Sequence, residues 1–130
     1  MIFLDTNTVS YLFDGDTKIK RKLTEAIGSG AQICLTAINV YEVLKGLKYR
    51  KNKRIEAEFE NFLCTTTVIP FDEDAVVFAA DIYADLRKRG ITIGDADILI
   101  AAIVISNNGT LVSRNLKHYQ YIKNLNLLDW

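Results

Sequence analysis

Asp5 ends the apolar run Met1-Ile2-Phe3-Leu4 and is followed by the small polar residues Thr6-Asn7-Thr8. Glu42 falls within a helix-spaced stretch, and Asp97, two residues after Asp95, opens the run Ile98-Leu99-Ile100-Ala101-Ala102-Ile103. Carboxylates brought together repel one another unless a cation joins them. An all-oxygen set favours a hard ion such as Mg²⁺, which keeps several waters and needs only one or two carboxylates directly. Such an ion polarises a phosphoryl oxygen and lowers the pKa of an attacking water. These residue types therefore suit metal-assisted hydrolysis of a phosphodiester, if the fold gathers them at one place.

Each acid also has a plain structural role to weigh. Asp5 could bond the turn that follows it. Glu42 lies opposite the stripe Val40, Val43, Leu44 and Leu47, so a helical wheel puts it on a solvated face. Asp95 suits an N-cap, and Asp97 a first-turn acid favoured by the helix dipole. His118, the single histidine, has no partner nearby in sequence and is expected to bond a loop rather than act as a base.

The elements that would position these acids alternate along the chain. Short apolar runs bounded by turn residues predict strands at the N-terminus, Ala31 to Leu35, Thr66 to Pro70, Thr110 to Ser113 and Leu125 to Leu128. A short helix is expected around Val9 to Phe13, then helices over Lys18 to Ile27 and Ala37 to Tyr49, the latter capped by Thr36. Further helices are expected from Asn52 to Cys64, from Asp72-Glu73-Asp74 to Arg87-Lys88-Arg89, and from Asp95 to Ser106. Arg114 to Gln120 is a loop or short helix. Alternating strands and helices imply a layered α/β fold with a mainly parallel sheet. In such sheets ligands sit beyond the carboxyl ends of the strands, which is where Asp5 would stand.

The chain has 130 residues, 49% of them apolar and 25% charged, as expected of one globular domain over residues 1–130. No apolar run reaches membrane-spanning length, and Asp5 interrupts the first too early for a signal peptide, so a cytoplasmic protein is expected. Cys34 and Cys64 lack metal spacing and are expected to be buried, reduced thiols. Sixteen basic and sixteen acidic residues balance, so a nucleic-acid partner must be met by local charge. Lys45, Lys48, Arg50, Lys51, Lys53 and Arg54 form a run without an acid, and Lys18, Lys20, Arg21 and Lys22 a smaller one. Such flanks could hold phosphates. Tyr41, Tyr49, Tyr119 and Tyr121 could stack on unpaired bases, though core or subunit packing suits each as well.

Leu4-Asp5-Thr6-Asn7 resembles the opening of PIN-domain nucleases. Ile93 to Ala102, followed by Gly109 to Asn115, is similar to their C-terminal half, and Lys117-His118-Tyr119 with Leu125 to Trp130 resembles the VapC toxins of toxin–antitoxin pairs. The resemblance spans essentially the whole chain. It implies a PIN-like three-layer α/β/α sandwich and a ribonuclease whose Asp5, Glu42 and Asp97 bind Mg²⁺ or Mn²⁺, with Asp95 as an auxiliary acid. Thr6, Asn7 and Ser113 match small polar positions lining the site. Asn115 stands where many members carry a fourth acid; a neutral amide orients water or substrate and holds a second metal weakly. A metal-activated water would attack phosphorus in line, leaving 5′-phosphate and 3′-hydroxyl ends on tRNA or mRNA. The resemblance further implies a homodimer silenced by a VapB-like antitoxin. The alternative is a catalytically silent RNA-binding PIN-like module. Phosphoacceptor and aspartyl-phosphate phosphatase readings are weak, since Asn7 stands where the phosphatase needs a second Asp.

Overall fold

The computed structural model describes residues 1–130. Five strands, β1 (Ile2–Leu4), β2 (Ile33–Thr36), β3 (Thr67–Ile69), β4 (Thr110–Val112) and β5 (Asn126–Leu128), form one sheet in the order β3-β2-β1-β4-β5. Every neighbouring pair is parallel. The helices are α1 (Thr6–Phe13), α2 (Thr17–Gly28), α3 (Ala37–Tyr49), α4 (Lys53–Leu63), α5 (Glu73–Lys88), α6 (Asp95–Ser106) and α7 (Leu116–Tyr119). The chain builds outward from β1 through β2 to β3, then crosses to β4 and β5 on the other side. The sheet therefore reverses direction of growth between β1 and β4, and the crevice of such a fold opens at the carboxyl ends of those strands.

Side chains alternate across the sheet because successive Cβ atoms point to opposite faces. Phe3, Cys34 and Leu111, in register with one another, enter a core with Ala75, Ala79, Ile82 and Leu86 of α5 and the buried body of α6. Leu4, Leu35 and Val112 enter a second core with Val9, Leu23, Leu47 and Phe59 from α1 to α4. These two cores make the three layers. Helix α6 is apolar all round and buries Ile98 and every residue from Ile100 to Val104, as a helix enclosed on all sides must.

Most helices start on a side-chain cap: Asp5 for α1, Asp16 for α2, Thr36 for α3, Asn52 for α4 and Asp72 for α5. Asp5 therefore starts α1 at Thr6, earlier than the apolar spacing predicted. Helix α6 runs from Asp95 to Ser106 as expected, but its N-cap is Gly94, with no side-chain bond, rather than Asp95. Cys34 is buried, but Cys64 is exposed. It is the C-cap of α4.

Asp16 also joins distant segments. Its Oδ1 accepts from the Ile19 N–H (3.0 Å), and its Oδ2 from Arg114 Nη1 (2.8 Å). The Arg114 bond first, and the Ile19 bond second, hold the Asp16 carboxyl below its ordinary value. A lowered folded-state pKa contributes stability above the unfolded value, and that contribution fades as pH falls through the folded one. Asp16→Asn keeps a capping side chain, so it should be less stable than wild type at pH 7, with the gap closing below about pH 4. Thermal melts at pH 7 and pH 3 check this; an equal gap at both would refute it.

Candidate active site

The end of β1 delivers Asp5 into the crevice, where it is 3% exposed. Its Oδ1 accepts from the Thr8 N–H (2.6 Å), and its Oδ2 accepts from the Ser113 hydroxyl just past β4. The same Ser113 oxygen accepts from the Asn115 N–H (2.9 Å). Two strand ends and the start of α7 are thereby joined around one carboxylate.

Glu42 does not sit on a solvated face. It is partly buried, and its Oε1 accepts from Thr6 Oγ1 at 2.7 Å. Thr6 Oγ1 in turn accepts from Asn39 Nδ2 (3.0 Å). Asn39 is fully buried because its Oδ1 completes the capping box of α3, accepting from the Thr36 hydroxyl (2.6 Å) and the Thr36 N–H (3.1 Å). The cap of α3 thus fixes the amide that orients Thr6, and Thr6 orients Glu42.

Asp97 enters from the first turn of α6 with its side chain 25% exposed. Tyr119 donates its hydroxyl to Oδ1 (3.0 Å), and His118 Nδ1 lies 2.9 Å from Oδ2. The Asn115 side-chain nitrogen also lies 2.8 Å from that Nδ1. A ring nitrogen carries either a proton or a lone pair. It therefore either donates to Asp97 or accepts from Asn115, and cannot do both at once.

Asp5, Thr6, Asn7, Glu42, Asp97, Asn115, His118 and Tyr119 line one recess of about 200 Å³. Ser113 stands behind it, bonded to Asp5. Asp95 is exposed and does not line it. Burial first, then the negative charges of Asp97, Asp5 and Glu42, push the Tyr119 phenol far above its ordinary value. It is a permanent donor, and three carboxylates act on one hydroxyl. No lysine or arginine forms an ion pair with Asp5, Glu42 or Asp97.

No three His, Cys, Asp or Glu groups are drawn close enough to grip a bare ion. Three carboxylates without a lysine or arginine partner, among neutral oxygen donors, suit instead a hard cation that retains part of its water shell, as Mg²⁺ does. Asn39, His118 and Tyr119 were not among the site residues expected from sequence. Thr36-x-x-Asn39 carries a recognisable capping signal, whereas nothing local distinguishes Tyr119 from a core aromatic.

The PIN domain family matches residues 2–124. The chain is 32% identical over 132 residues to ribonuclease VapC2 of Haemophilus influenzae, covering 98% of this chain and 96% of the relative. It is 26% identical over 128 residues to the tRNA(fMet)-specific endonuclease VapC of Salmonella typhimurium, with the same coverage of each. Its fold superposes with a TM-score of 0.92 on a chain from the crystal structure of VapBC2 from Rickettsia felis bound to a promoter DNA fragment, at 28% identity over 100% of this chain and 99% of that one. A PIN domain match across nearly the whole chain, with VapC relatives of full length, places this protein in the PIN-domain family, in its VapC branch.

Proposed function

We propose that this protein is a VapC-type endoribonuclease toxin whose Asp5, Glu42 and Asp97 hold Mg²⁺ or Mn²⁺ for hydrolysis of RNA. The observation that carries this reading is the meeting of three carboxylates in one recess, with no lysine or arginine of the chain paired to them. When bound, the cation polarises the scissile phosphoryl group and acidifies the attacking water. The protein's own part is orientation. Thr6 holds Glu42, Ser113 and the Thr8 N–H hold Asp5, and Asn7 and Asn115 offer neutral polar groups to water or phosphate oxygens. VapBC complexes among the structural relatives support a VapB-like antitoxin as partner. A homodimer in the cytoplasm completes the reading; no helix is long and apolar enough to cross a membrane.

A second groove of about 440 Å³ shares Thr6 and Glu42 with the recess and is lined further along by Ser10, Gly46 and Arg50. Lys48 and Arg54 of the basic run are spent on Glu56 and Glu58. Arg50 forms no ion pair, and its guanidinium lies over Gly46, 3.5 Å from where a Cβ would stand. It is placed to hold a phosphate of the strand entering the site. Arg50→Ala should weaken RNA binding and flatten the log–log salt dependence by about 0.7 for a single-stranded substrate. The rate at saturating RNA should be unchanged. An unaltered salt slope would remove Arg50 from the RNA path.

The reading as a whole is tested by incubating antitoxin-free protein with total bacterial RNA, with and without EDTA. The Salmonella relative's tRNA(fMet) specificity makes initiator tRNA the first defined substrate to try. Products that require the metal support the nuclease. A folded protein that binds RNA and never cuts it would be the silent module instead.

A further inference from the structure

We infer that Tyr119 is a positioning residue whose phenol orients Asp97 for metal binding, a role that rests on the metal-dependent nuclease proposed above. Its ring belongs to the core beside α6, and the residue is 2% exposed. A phenylalanine would fill that space without burying a hydroxyl, and a buried hydroxyl is unfavourable unless it is bonded. The only hydrogen bond of this hydroxyl runs to Asp97 Oδ1. His118 cannot do the same work. Its ring is half exposed, and its Nδ1 is shared between Asp97 and Asn115.

The approach of Tyr119 is also fixed from the other side of the site. Ser113 donates to Asp5 and accepts from the Asn115 N–H at the start of α7. The short segment from Ser113 to Tyr119 therefore bonds Asp5 at one end and Asp97 at the other. Tyr119 sets the second carboxylate in a frame defined by the first. Partners of this kind, one bond removed from the metal, typically carry 10- to 100-fold of its affinity.

The test is Mn²⁺ binding to antitoxin-free protein without RNA, by calorimetry or by the paramagnetic signal of free Mn²⁺. Tyr119→Phe should bind Mn²⁺ at least about 10-fold more weakly than wild type. Raised Mn²⁺ should restore its cleavage rate. Ile122→Ala, which weakens the same core without touching Asp97, should keep wild-type affinity. Equal affinities for wild type and Tyr119→Phe would overturn the role, as would an equal loss in Ile122→Ala. A wild type that binds no Mn²⁺ would instead overturn the metal-dependent reading beneath it.

Discussion

Asp97→Asn is expected to abolish RNA cleavage while leaving the fold in place. The substitution removes one of three negative charges from the recess but retains an oxygen that can accept from Tyr119. It also leaves intact what anchors α6, the buried side chains of Ile98 and of Ile100 to Val104. A bound cation contributes several kcal/mol of transition-state stabilisation, so losing about 4 kcal/mol lowers the rate roughly a thousandfold. Asp5→Asn should be equally inactive, but it is the less clean experiment. Asp5 is nearly fully buried, caps α1 and bonds Ser113, so its replacement also disturbs the junction of β1 and β4. Initial cleavage rates of a defined tRNA, paired with circular dichroism melts, make the comparison. An Asp97→Asn protein within about tenfold of wild type would mean that the chemistry is not centred on this recess.

Gly109→Ala is expected to be the most damaging small substitution outside the site. Gly109 links α6 to β4. A Cβ there would stand 2.4 Å from Phe3 Cε2, 2.7 Å from Phe3 Cδ2 and 3.4 Å from the Met1 carbonyl oxygen. Neither side can retreat. Phe3 is fully buried in the central strand. Gly109 is held by its N–H bond to the Val104 carbonyl (2.9 Å), and Thr110 by its N–H bond to the Met1 carbonyl (3.0 Å). Overpacking of a filled core costs about 1–3 kcal/mol and sometimes more. At the upper end of that range, a chain of this size should melt about 10 °C lower. Phe3→Leu should recover part of the loss in the double variant, because the two residues contact directly and their effects are not additive. A Gly109→Ala protein melting within about 2 °C of wild type would show that the ring moves aside at little cost.

Much of the scaffold follows from short-range pattern. Strands announce themselves as apolar runs between turn residues, and all five begin and end within about two residues of expectation. The three inner strands β1, β2 and β4 are largely buried on both faces, whereas the edge strands β3 and β5 are largely exposed. Asp16, Thr36, Asn52 and Asp72 mark helix starts because a carboxylate, hydroxyl or amide oxygen satisfies backbone donors locally. Asp5 is placed by sequence alone for the same reason: it ends the central strand, and the crevice of a parallel sheet opens at strand ends.

Other features depend on contacts that no local pattern encodes. A helical wheel ranks Glu42 by the apolar stripe of its own helix and so turns it outward. In the fold it faces Thr6, 36 residues away, held there by an amide that the cap of α3 immobilises. Tyr119 looks like any core aromatic until α7 brings its hydroxyl onto Asp97, 22 residues distant. Cys64, expected inside, is exposed because its helix ends there. Strands, most helix starts and the acid at the end of β1 are legible in the chain of residues, since they rest on close neighbours. That Glu42 and Asp97 share a recess with Asp5 while Asp95 stays outside it emerges only on folding, because it depends on how separate elements pack around the crossover between β1 and β4.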